Sequence, residues 1–275
     1  MACHICVTCG LQYPFSQLPP SHCLICEDER QYVGVNGQKW TTREEMLSKY
    51  ENKITCEEPN LFSIHTEPRF AIGQRAFLVQ TSYGNILWDC ISFLDQTTID
   101  CINDIGGLAA IAISHPHFFT TMVDWSHLFG NVPIYLHKDT EEWVVRRDKC
   151  IHFWDGSTKD LFDETLKLIH TGGHFEGSQV LYWSEGASQS GVLLSGDEPH
   201  ICMDSKQVTF MHSFPNYIPL NERKVKRIME RLQLVHFDKL YGAVASGGTD
   251  GVIREKAQEI VQRSGQRYLK AISND

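Results

Sequence analysis

Two histidines in this sequence are spaced in a way that suits metal binding. The stretch SHPHFFT (residues 114–120) places His115 and His117 one residue apart, directly after the apolar run GLAAIAI (residues 107–113). Neutral imidazoles that converge from rigid elements bind divalent metals, and a coordination position left open admits water. Alternate residues of an extended chain point the same way. The pair therefore predicts half of a metal site at the exit of a buried strand.

Two later stretches carry side chains that suit the same kind of site. His174 lies in TGGHFEG (residues 171–177), where glycines on both sides indicate backbone that turns sharply to present the imidazole. Asp197 ends LLSGD (residues 193–197), an apolar strand that would deliver a carboxylate to the edge of a sheet. These two features favour a metal site over a chance pair of histidines.

Four cysteines near the start of the sequence form two CxxC pairs separated by 13 residues. They are Cys6, Cys9, Cys23 and Cys26. Two such pairs can close a tetrahedron of thiolates around Zn²⁺, and Gly10 suits the tight turn that aims backbone amides at sulfur. A closed four-coordinate site leaves no position for a substrate, so this zinc is predicted to serve folding or docking rather than catalysis.

Other ligands at the same place are possible from the sequence. Cys3 forms an overlapping CxxC with Cys6, and His4 or His22 could also replace one cysteine. The glycine after Cys9 favours Cys6 and Cys9 as the first pair.

The composition limits the class of protein. The chain has 275 residues, a formal net charge of −9 and ten cysteines. An acidic surface argues against nucleic acid as a partner, because binding along its backbone needs dense Lys and Arg. Neither a signal peptide nor an apolar run of roughly 18 to 20 residues, the length of a membrane helix, is visible. Clustered cysteines then fit a reducing compartment, so we expect a cytoplasmic protein; its oligomeric state stays open.

Hydrophobic patterning predicts a mixed α/β body after a small head. RAFLVQTSYGNILWDC (residues 75–90) predicts a strand hairpin, TTIDCINDIGG (residues 97–107) a short helix, and residues 118–129 a further helix. CEEPNLFSIHTEP (residues 56–68) is typical of a linker, which gives predicted domains of 1–55 and 56–275. Near 221–234, apolar residues at helical spacing form one face of a helix.

The order of these features resembles the metallo-β-lactamase-fold hydrolases over about residues 60–275. The motifs are LWDC (residues 87–90), SHPH, GGH and LLSGD, followed by a late strand and helix. With the two CxxC pairs and CEDERQYV (residues 26–33), the chain looks closest to a zinc-ribbon-headed branch of that superfamily. The resemblance implies an α/β fold, an αββα sandwich with the metal site between the upper edges of two sheets, and a small N-terminal zinc knuckle.

The resemblance also implies a ligand set. His115 and His117 match the first two metal ligands of the family, His174 the third, and Asp197 the carboxylate that touches or bridges the metals. Asp197 is the first candidate for the catalytic base. Asp89 matches an aspartate that supports the metal-site loops.

The chain departs from the family at its second metal. The family places an aspartate and a histidine after the His pair, where this chain has Phe119 and Thr120, and a late histidine where this chain reads ASGG (residues 245–248). Phenylalanine cannot bind a metal, so one catalytic ion is expected. One Zn²⁺ still lowers the pKa of bound water from about 15.7 to about 7, which gives a hydroxide at neutral pH. Two ions help most with phosphodiesters, so we expect an acyl hydrolase that opens a lactone or lactam.

Two alternatives stay open. Some members of the superfamily use a two-histidine, one-carboxylate iron centre, so Fe in place of Zn²⁺ would make this chain a mononuclear iron oxygenase. The His site could also be an inactive relic, which would make the chain a zinc-binding adaptor. Asp124, His127, His212, Tyr217 and Ser246 are weaker candidates for the rim of the site, as are Phe118 and Phe119 for the lining of an apolar pocket.

Overall fold

The computed structural model describes residues 1–243 and 250–273. They divide into two compact units, Met1–Leu136 with Thr140–Phe153 and His137–Asp139 with Trp154–Asp275. The predicted domains 1–55 and 56–275 stay a prediction. Among the described residues, no helix combines the length and the apolar character needed to cross a membrane.

The first unit holds two sheets, one of three strands and one of seven. Its strands are β1 (Ala2–Cys6), β2 (Gln12–Ser16), β3 (Trp40–Thr41), β4 (Glu51–Glu58), β5 (Leu61–Glu67), β6 (Arg75–Thr81), β7 (Gly84–Trp88), β8 (Ala110–Ala112), β9 (Ile134–His137) and β10 (Ile151–Trp154). The small sheet has the order β2-β1-β3 and the large one β10-β9-β8-β7-β6-β5-β4. Its helices are α1 (Leu24–Glu27), α2 (Arg43–Met46), α3 (Gln96–Asp104) and α4 (Met122–Leu128), with 3₁₀ turns at Pro116–Phe118 and Lys138–Trp143.

The strand that precedes the His pair lies in the middle of the large sheet. β8 runs parallel to both β7 and β9, and all three of its residues are buried. A strand that is covered on both faces needs apolar residues at every position, as the run GLAAIAI provides. The sheet therefore fixes the point from which the His pair departs.

The segment expected to be a linker is part of this sheet instead. β4 and β5 form an antiparallel hairpin that pairs Glu51 with Glu67, and β5 pairs with β6. On β5, Leu61 and Ile64 are buried. The sequence did not predict these strands, because the charged residues of the segment lie mainly on the edge strand β4, where one side faces solvent.

The second unit is built on a six-stranded sheet with the order β11-β12-β13-β14-β19-β20. Its strands are β11 (Thr158–Leu161), β12 (Leu166–His170), β13 (Gln179–Trp183), β14 (Val192–Ser195), β15 (His200–Ile201), β16 (Val208–Thr209), β17 (Met211–Ser213), β18 (Ile218–Pro219), β19 (Lys239–Gly242) and β20 (Val252–Ile253). Its helices are α5 (Gly186–Gln189), α6 (Glu222–Leu232) and α7 (Ala257–Ile272).

Helix α6 has the predicted apolar face. Asn221 caps it by accepting a hydrogen bond from the Lys224 amide, and the face packs into the core of the second unit. The buried residues on that face are Val225, Ile228, Met229 and Leu232. Four such side chains each contribute about 1.5–3 kcal/mol when fully buried, so this face anchors the helix.

Candidate metal centre

The four cysteines of the two CxxC pairs converge in the head of the first unit. Cys6, Cys9, Cys23 and Cys26 are all buried, and their sulfur atoms form one group within 4.8 Å of each other. Sγ of Cys6 lies 3.5 Å from Sγ of Cys26, and Sγ of Cys9 lies 3.5 Å from Sγ of Cys23. Two sulfurs that each bind a tetrahedral Zn²⁺ at about 2.3 Å are about 3.8 Å apart, so the spacing fits one ion. The structure brings together the four cysteines that the sequence singled out, and their binding of a metal stays a prediction.

The alternative ligands lie outside this group. Cys3, His4 and His22 are not among its members, and His22 instead contacts the Glu27 carboxylate at 2.5 Å. The side-chain amide of Gln38 donates to Sγ of Cys6 at 3.0 Å, as an N–H group does to a thiolate. Every one of the ten cysteines is a free thiol.

The His pair follows the end of β8, as predicted, and His117 lies in a tight 3₁₀ turn. His115 still has extended backbone, with φ −168° and ψ 172°, but the turn Pro116–Phe118 contains His117. The rings of His115 and His117 are 5.1 Å apart between centroids, and the residues are 1% and 4% exposed. The helix predicted over residues 118–129 therefore begins only at Met122, because the 3₁₀ turn comes first.

A hydrogen-bonded chain fixes the protonation of His115. The Ser114 hydroxyl donates to Oδ2 of Asp89 at 3.0 Å and lies 2.9 Å from Nδ1 of His115. A hydroxyl has one hydrogen, so toward His115 it must accept, and Nδ1 of His115 carries the imidazole proton. Nε2 then holds the lone pair that a metal needs. Asp89 is fully buried and also accepts from the Ser114 amide at 2.7 Å, as a supporting aspartate should.

Phe119 and Thr120, which stand where the family has second-metal ligands, are buried in the first unit at 1% and 4% exposure. Thr120 has a left-handed backbone with φ +32°, unusual for a β-branched residue. They line a small cavity with Leu11, Gln12 and other residues of the first unit. The late region at 245–248, and with it Ser246, falls outside the described residues.

In the second unit, two glycines shape the loop that carries His174. Gly172 and Gly173 have φ +62° and +96°, both in the left-handed region. A Cβ on Gly173 would lie 2.3 Å from Oε2 of Glu198, and one on Gly172 would lie 1.8 Å from Nη2 of Arg227. The left-handed backbone favours glycine at both positions, as the sequence pattern indicated, and a side chain at residue 173 would also displace the buried Glu198 carboxyl.

His174 and Asp197 meet at their ligand atoms. Nδ1 of His174 donates to the Met211 carbonyl at 3.0 Å, so Nε2 of the neutral ring bears no hydrogen. That Nε2 lies 3.4 Å from Oδ2 of Asp197, and the residues are 1% and 7% exposed. Two electron-rich atoms at this distance in a buried place repel each other unless a cation lies between them. Two ligands about 2.1 Å from one tetrahedral ion are about 3.4 Å apart, so the pair fits a metal.

Glu198 is a part of the site that sequence reasoning missed. Its Oε2 accepts from the His174 amide at 2.9 Å, and burial raises the pKa of this carboxyl well above its ordinary value. The carboxyl therefore holds the His174 loop from inside the protein. No sequence motif singles out Glu198 beside Asp197, because its side chain reaches residue 174 only in the folded chain.

The weaker candidates have other contacts. Asp124 forms an ion pair with Arg146 at 2.6 Å and accepts from Gln12 at 2.7 Å, so it is not a solvated helix carboxylate. His127 pairs with Asp148 at the surface. Tyr217 is 86% exposed.

The sequence analysis gave no role to His200 and Phe214, which lie near Asp197 and His174. Burial lowers the pKa of His200, whose ring lies 4.6 Å from that of Phe214. Phe214 in turn lies 6.1 Å from the His174 ring. His212, on β17, is half-buried.

Known structures show the same fold. DIM-1 metallo-β-lactamase exposed to ceftazidime matches with a TM-score of 0.58 at 13% identity, over 81% of this chain and 98% of that chain. VMB-1 matches with a TM-score of 0.59 at 14% identity, over 81% of this chain and 99% of that chain. The chemotaxis sensor ODP, in a peroxy diiron state, matches with a TM-score of 0.52 at 15% identity, over 80% and 94%. The chain has the metallo-β-lactamase fold, as predicted.

No protein-family model matches the chain. A protein of Bacillus subtilis (strain 168), described as "Uncharacterized protein YmaE", is 47% identical over 277 residues, which is 100% of this chain and 98% of that protein. The chain belongs to the YmaE family. The match extends over the whole of this chain, so it includes the N-terminal segment that carries the cysteines.

Proposed function

We propose that the chain is a metal-dependent hydrolase with one catalytic ion, Zn²⁺, bound by His115, His117, His174 and Asp197. Each of these buried side chains offers one ligand atom, an imidazole nitrogen or a carboxylate oxygen. The observation that carries the proposal is the 3.4 Å approach of Nε2 of His174 to Oδ2 of Asp197. The Cys set is proposed to hold a second, structural Zn²⁺.

The protein's own groups prepare both halves of this ligand set. The Asp89–Ser114 chain puts the proton of His115 on Nδ1, and the Met211 carbonyl does the same for His174. Both rings then present Nε2 to an ion without changing orientation or tautomer. The free energy of metal binding is therefore not reduced by the cost of ordering these side chains. An inactive relic would have no need of such fixed tautomers, and this argues against the adaptor interpretation.

The proposed reaction is attack of water on a carbonyl. When bound, the ion supplies a water of lowered pKa and polarises the carbonyl. Asp197 is proposed to orient the water by accepting a hydrogen bond from it and to take its proton. Asp89 and Glu198 act only through the residues they hold.

A cyclic ester or amide is the proposed substrate class, and the substrate is a small molecule. The similarity in fold to a metallo-β-lactamase exposed to ceftazidime supports an acyl substrate, and Phe119 and Thr120 support a single ion, which suits carbonyls better than phosphodiesters. The protein is also proposed to work in the cytoplasm, because clustered cysteines in a reducing compartment hold metal more often than they form disulfides. The net charge of −9 supports a role without nucleic acid.

The test is hydrolysis by purified, metal-loaded protein of matched lactones, lactams and bis-aryl phosphodiesters. We expect turnover of at least one cyclic acyl substrate and loss of at least 100-fold in kcat/KM for His174→Ala. The exposed His65 gives a matched control, His65→Ala, that keeps wild-type rates. Turnover of phosphodiesters alone would overturn the substrate class.

A second candidate function is iron-dependent oxygen chemistry. The similarity in fold to ODP in its peroxy diiron state supports it, and imidazole with carboxylate suits iron as well as zinc. Metal analysis of protein purified without added metal separates the two. Iron at the His set together with oxygen uptake would favour the oxygenase, and zinc without oxygen uptake favours the hydrolase.

A further inference from the structure

The cysteine head touches the backbone of the turn that carries His117. Nε2 of Gln74 donates to the Cys9 carbonyl at 2.7 Å and to the His117 carbonyl at 3.1 Å. The side-chain amide of Gln74 has two hydrogens, and it donates one to the cysteine loop and one to the His117 turn. Gln74 is only 5% exposed, so water cannot readily replace either bond.

Two further contacts join the same segments. The backbone amide of Gln12, a head residue, donates to the Thr120 carbonyl at 3.0 Å. The carbonyls of His117 and Thr120, three residues apart, are thus held by Gln74 and by the head respectively. The Ser92 hydroxyl donates to the Gly10 carbonyl at 2.9 Å, and Thr121 donates to the Ser92 carbonyl at 3.1 Å. Ser92 and Gln74, which lie outside the head, thus pack against the loop after Cys9.

Gly10 shows how closely the two segments approach. Its φ is +84°, and a Cβ there would lie 2.2 Å from Oγ of Ser92 and 3.3 Å from Nε2 of Gln74. The same residue makes the tight turn of the CxxC pair, because the Gly10 amide donates to the Cys6 carbonyl at 2.8 Å. Any movement of this turn therefore displaces Cys9's carbonyl and the atoms packed on it.

The cysteine ion controls whether this turn keeps its shape. Four sulfur ligands within 4.8 Å of one another, two pairs of them at 3.5 Å, are held together by a shared cation. Without the cation this link between the two CxxC pairs is lost, and the Cys9 carbonyl is no longer held at the position where it meets Gln74. The His117 turn loses a contact at the same moment, and metal affinity depends strongly on how well ligands are held.

We propose that the cysteine ion and the ion at the His set stabilise each other through Gln74. The head is then a control element for the catalytic site: loss of the cysteine Zn²⁺ weakens metal binding at His115 and His117. By linkage the effect is reciprocal, and couplings of this kind typically change affinity about 5- to 150-fold. The inference rests on the proposed function only in taking the His set to bind a metal.

The experiment measures metal affinity at the His set in the full-length chain with and without an intact head. Co²⁺ bound to thiolates gives sulfur-to-metal charge-transfer absorption, which reports the cysteine site, and competition with a chromophoric chelator gives the Zn²⁺ affinity of the His set. We expect Cys26→Ser to abolish the charge-transfer band and to weaken the His set at least fivefold. Cys3→Ser, which alters a cysteine outside the tetrad, should do neither.

Gln74 is tested by a double-mutant cycle. In a Gln74→Ala background, Cys26→Ser should no longer change the affinity of the His set. The matched control is Gln80→Ala, because Gln80 also donates to a carbonyl, that of Ile105 at 3.2 Å, but far from the head. With Gln80→Ala the fivefold effect should persist. Gln74→Glu, which keeps the size of the side chain, replaces Gln74→Ala if the latter does not fold.

Amide hydrogen exchange gives a readout that needs no ion at the His set. Removing the head ion by Cys26→Ser should speed exchange in residues 115–121 and leave α6 unchanged. Unchanged exchange there, or His-set affinity within twofold of wild type, would overturn the coupling. If the wild-type protein binds only one ion, in the head, the proposed function fails instead, and hydrogen exchange alone then decides the coupling.

Discussion

Nε2 of His174 lies 3.4 Å from Oδ2 of Asp197, and the His174 proton is on the opposite side of the ring, given to the Met211 carbonyl. With the ring neutral, the pair is therefore arranged so that both atoms can bind one cation. This relationship lies within one unit of the chain, so it does not depend on the His pair of the first unit. It also makes the metal-free site costly, because two acceptors face each other where water is scarce.

The number of bound ions is the first prediction. Purified wild-type protein should contain about two metal ions per chain, and His115→Ala and Cys26→Ala should each lose one, because each removes a ligand from a different four-residue set. Elemental analysis of the three proteins measures this. A His115→Ala protein that keeps both ions would show that the His set is not a metal site.

The hydrogen-bonded chain behind His115 gives the second prediction. Ser114→Ala breaks the link that places the proton on Nδ1, so the Zn²⁺ affinity of the His set should fall about 10- to 100-fold while the head ion stays bound. Chelator competition measures it. Ser16→Ala is the matched control, since the Ser16 hydroxyl bonds only to the nearby Leu18 carbonyl. Equal affinities for the two variants would remove Ser114 from the site.

The third prediction separates backbone strain from steric conflict. Gly173→Ala adds a Cβ that would collide with Glu198, whereas Gly156 has a similar φ of +101° and nothing within 4 Å. Gly156→Ala should cost about 1 kcal/mol from strain alone. Gly173→Ala should cost at least about 2 kcal/mol more and displace the His174 loop, since the conflict adds to the strain. Urea unfolding of both variants gives the difference, and similar losses would mean that Glu198 moves aside freely.

The fourth prediction concerns pH. The rings of His137 and His170 stack with centroids 3.6 Å apart, and burial lowers the pKa of both imidazoles. As pH falls through about 6.5, these two histidines become protonated in the unfolded chain but stay neutral in the folded chain. The stability that they contribute above that pH is therefore lost below it. The free energy of unfolding should fall by up to about 1.4 kcal/mol per pH unit for each histidine.

The variants His170→Gln and His152→Gln test this origin. The first removes a stacked ring, so its stability should vary less with pH between about 5 and 7.5. The second changes an exposed histidine and should keep the wild-type slope. Urea unfolding at several pH values measures both, and equal slopes would assign the pH dependence to other groups.

The sequence predicted the ligands better than it predicted their surroundings. The cysteine tetrad followed from the two CxxC pairs together with Gly10, since spacing alone left Cys3 open, and Gly-Gly-His indicated a forced turn. The link from Asp89 to Ser114 joins residues 25 positions apart, and Glu198 acts on His174 across 24 positions. No local pattern can encode such pairs, since tertiary folding brings them together.

Local sequence patterns also gave wrong predictions for two elements of the first unit. The β4–β5 hairpin was taken for a linker, because Glu and Pro are poor strand formers and a one-sided edge strand need not alternate cleanly. The helix after the His pair was predicted to begin four residues early, at Phe118, because the sequence analysis did not anticipate the 3₁₀ turn that begins at Pro116.

The position of β4 at one end of the seven-stranded sheet has a consequence for self-association. Such an edge exposes backbone groups to which a strand of another molecule could add. Here the outward residues include Glu51 and Lys53, which form an ion pair at 2.6 Å, and the pairing register shifts between Cys56 and Glu58. A charged edge with an irregular end is a poor template for a further strand, so this edge disfavours the addition of a strand from another molecule.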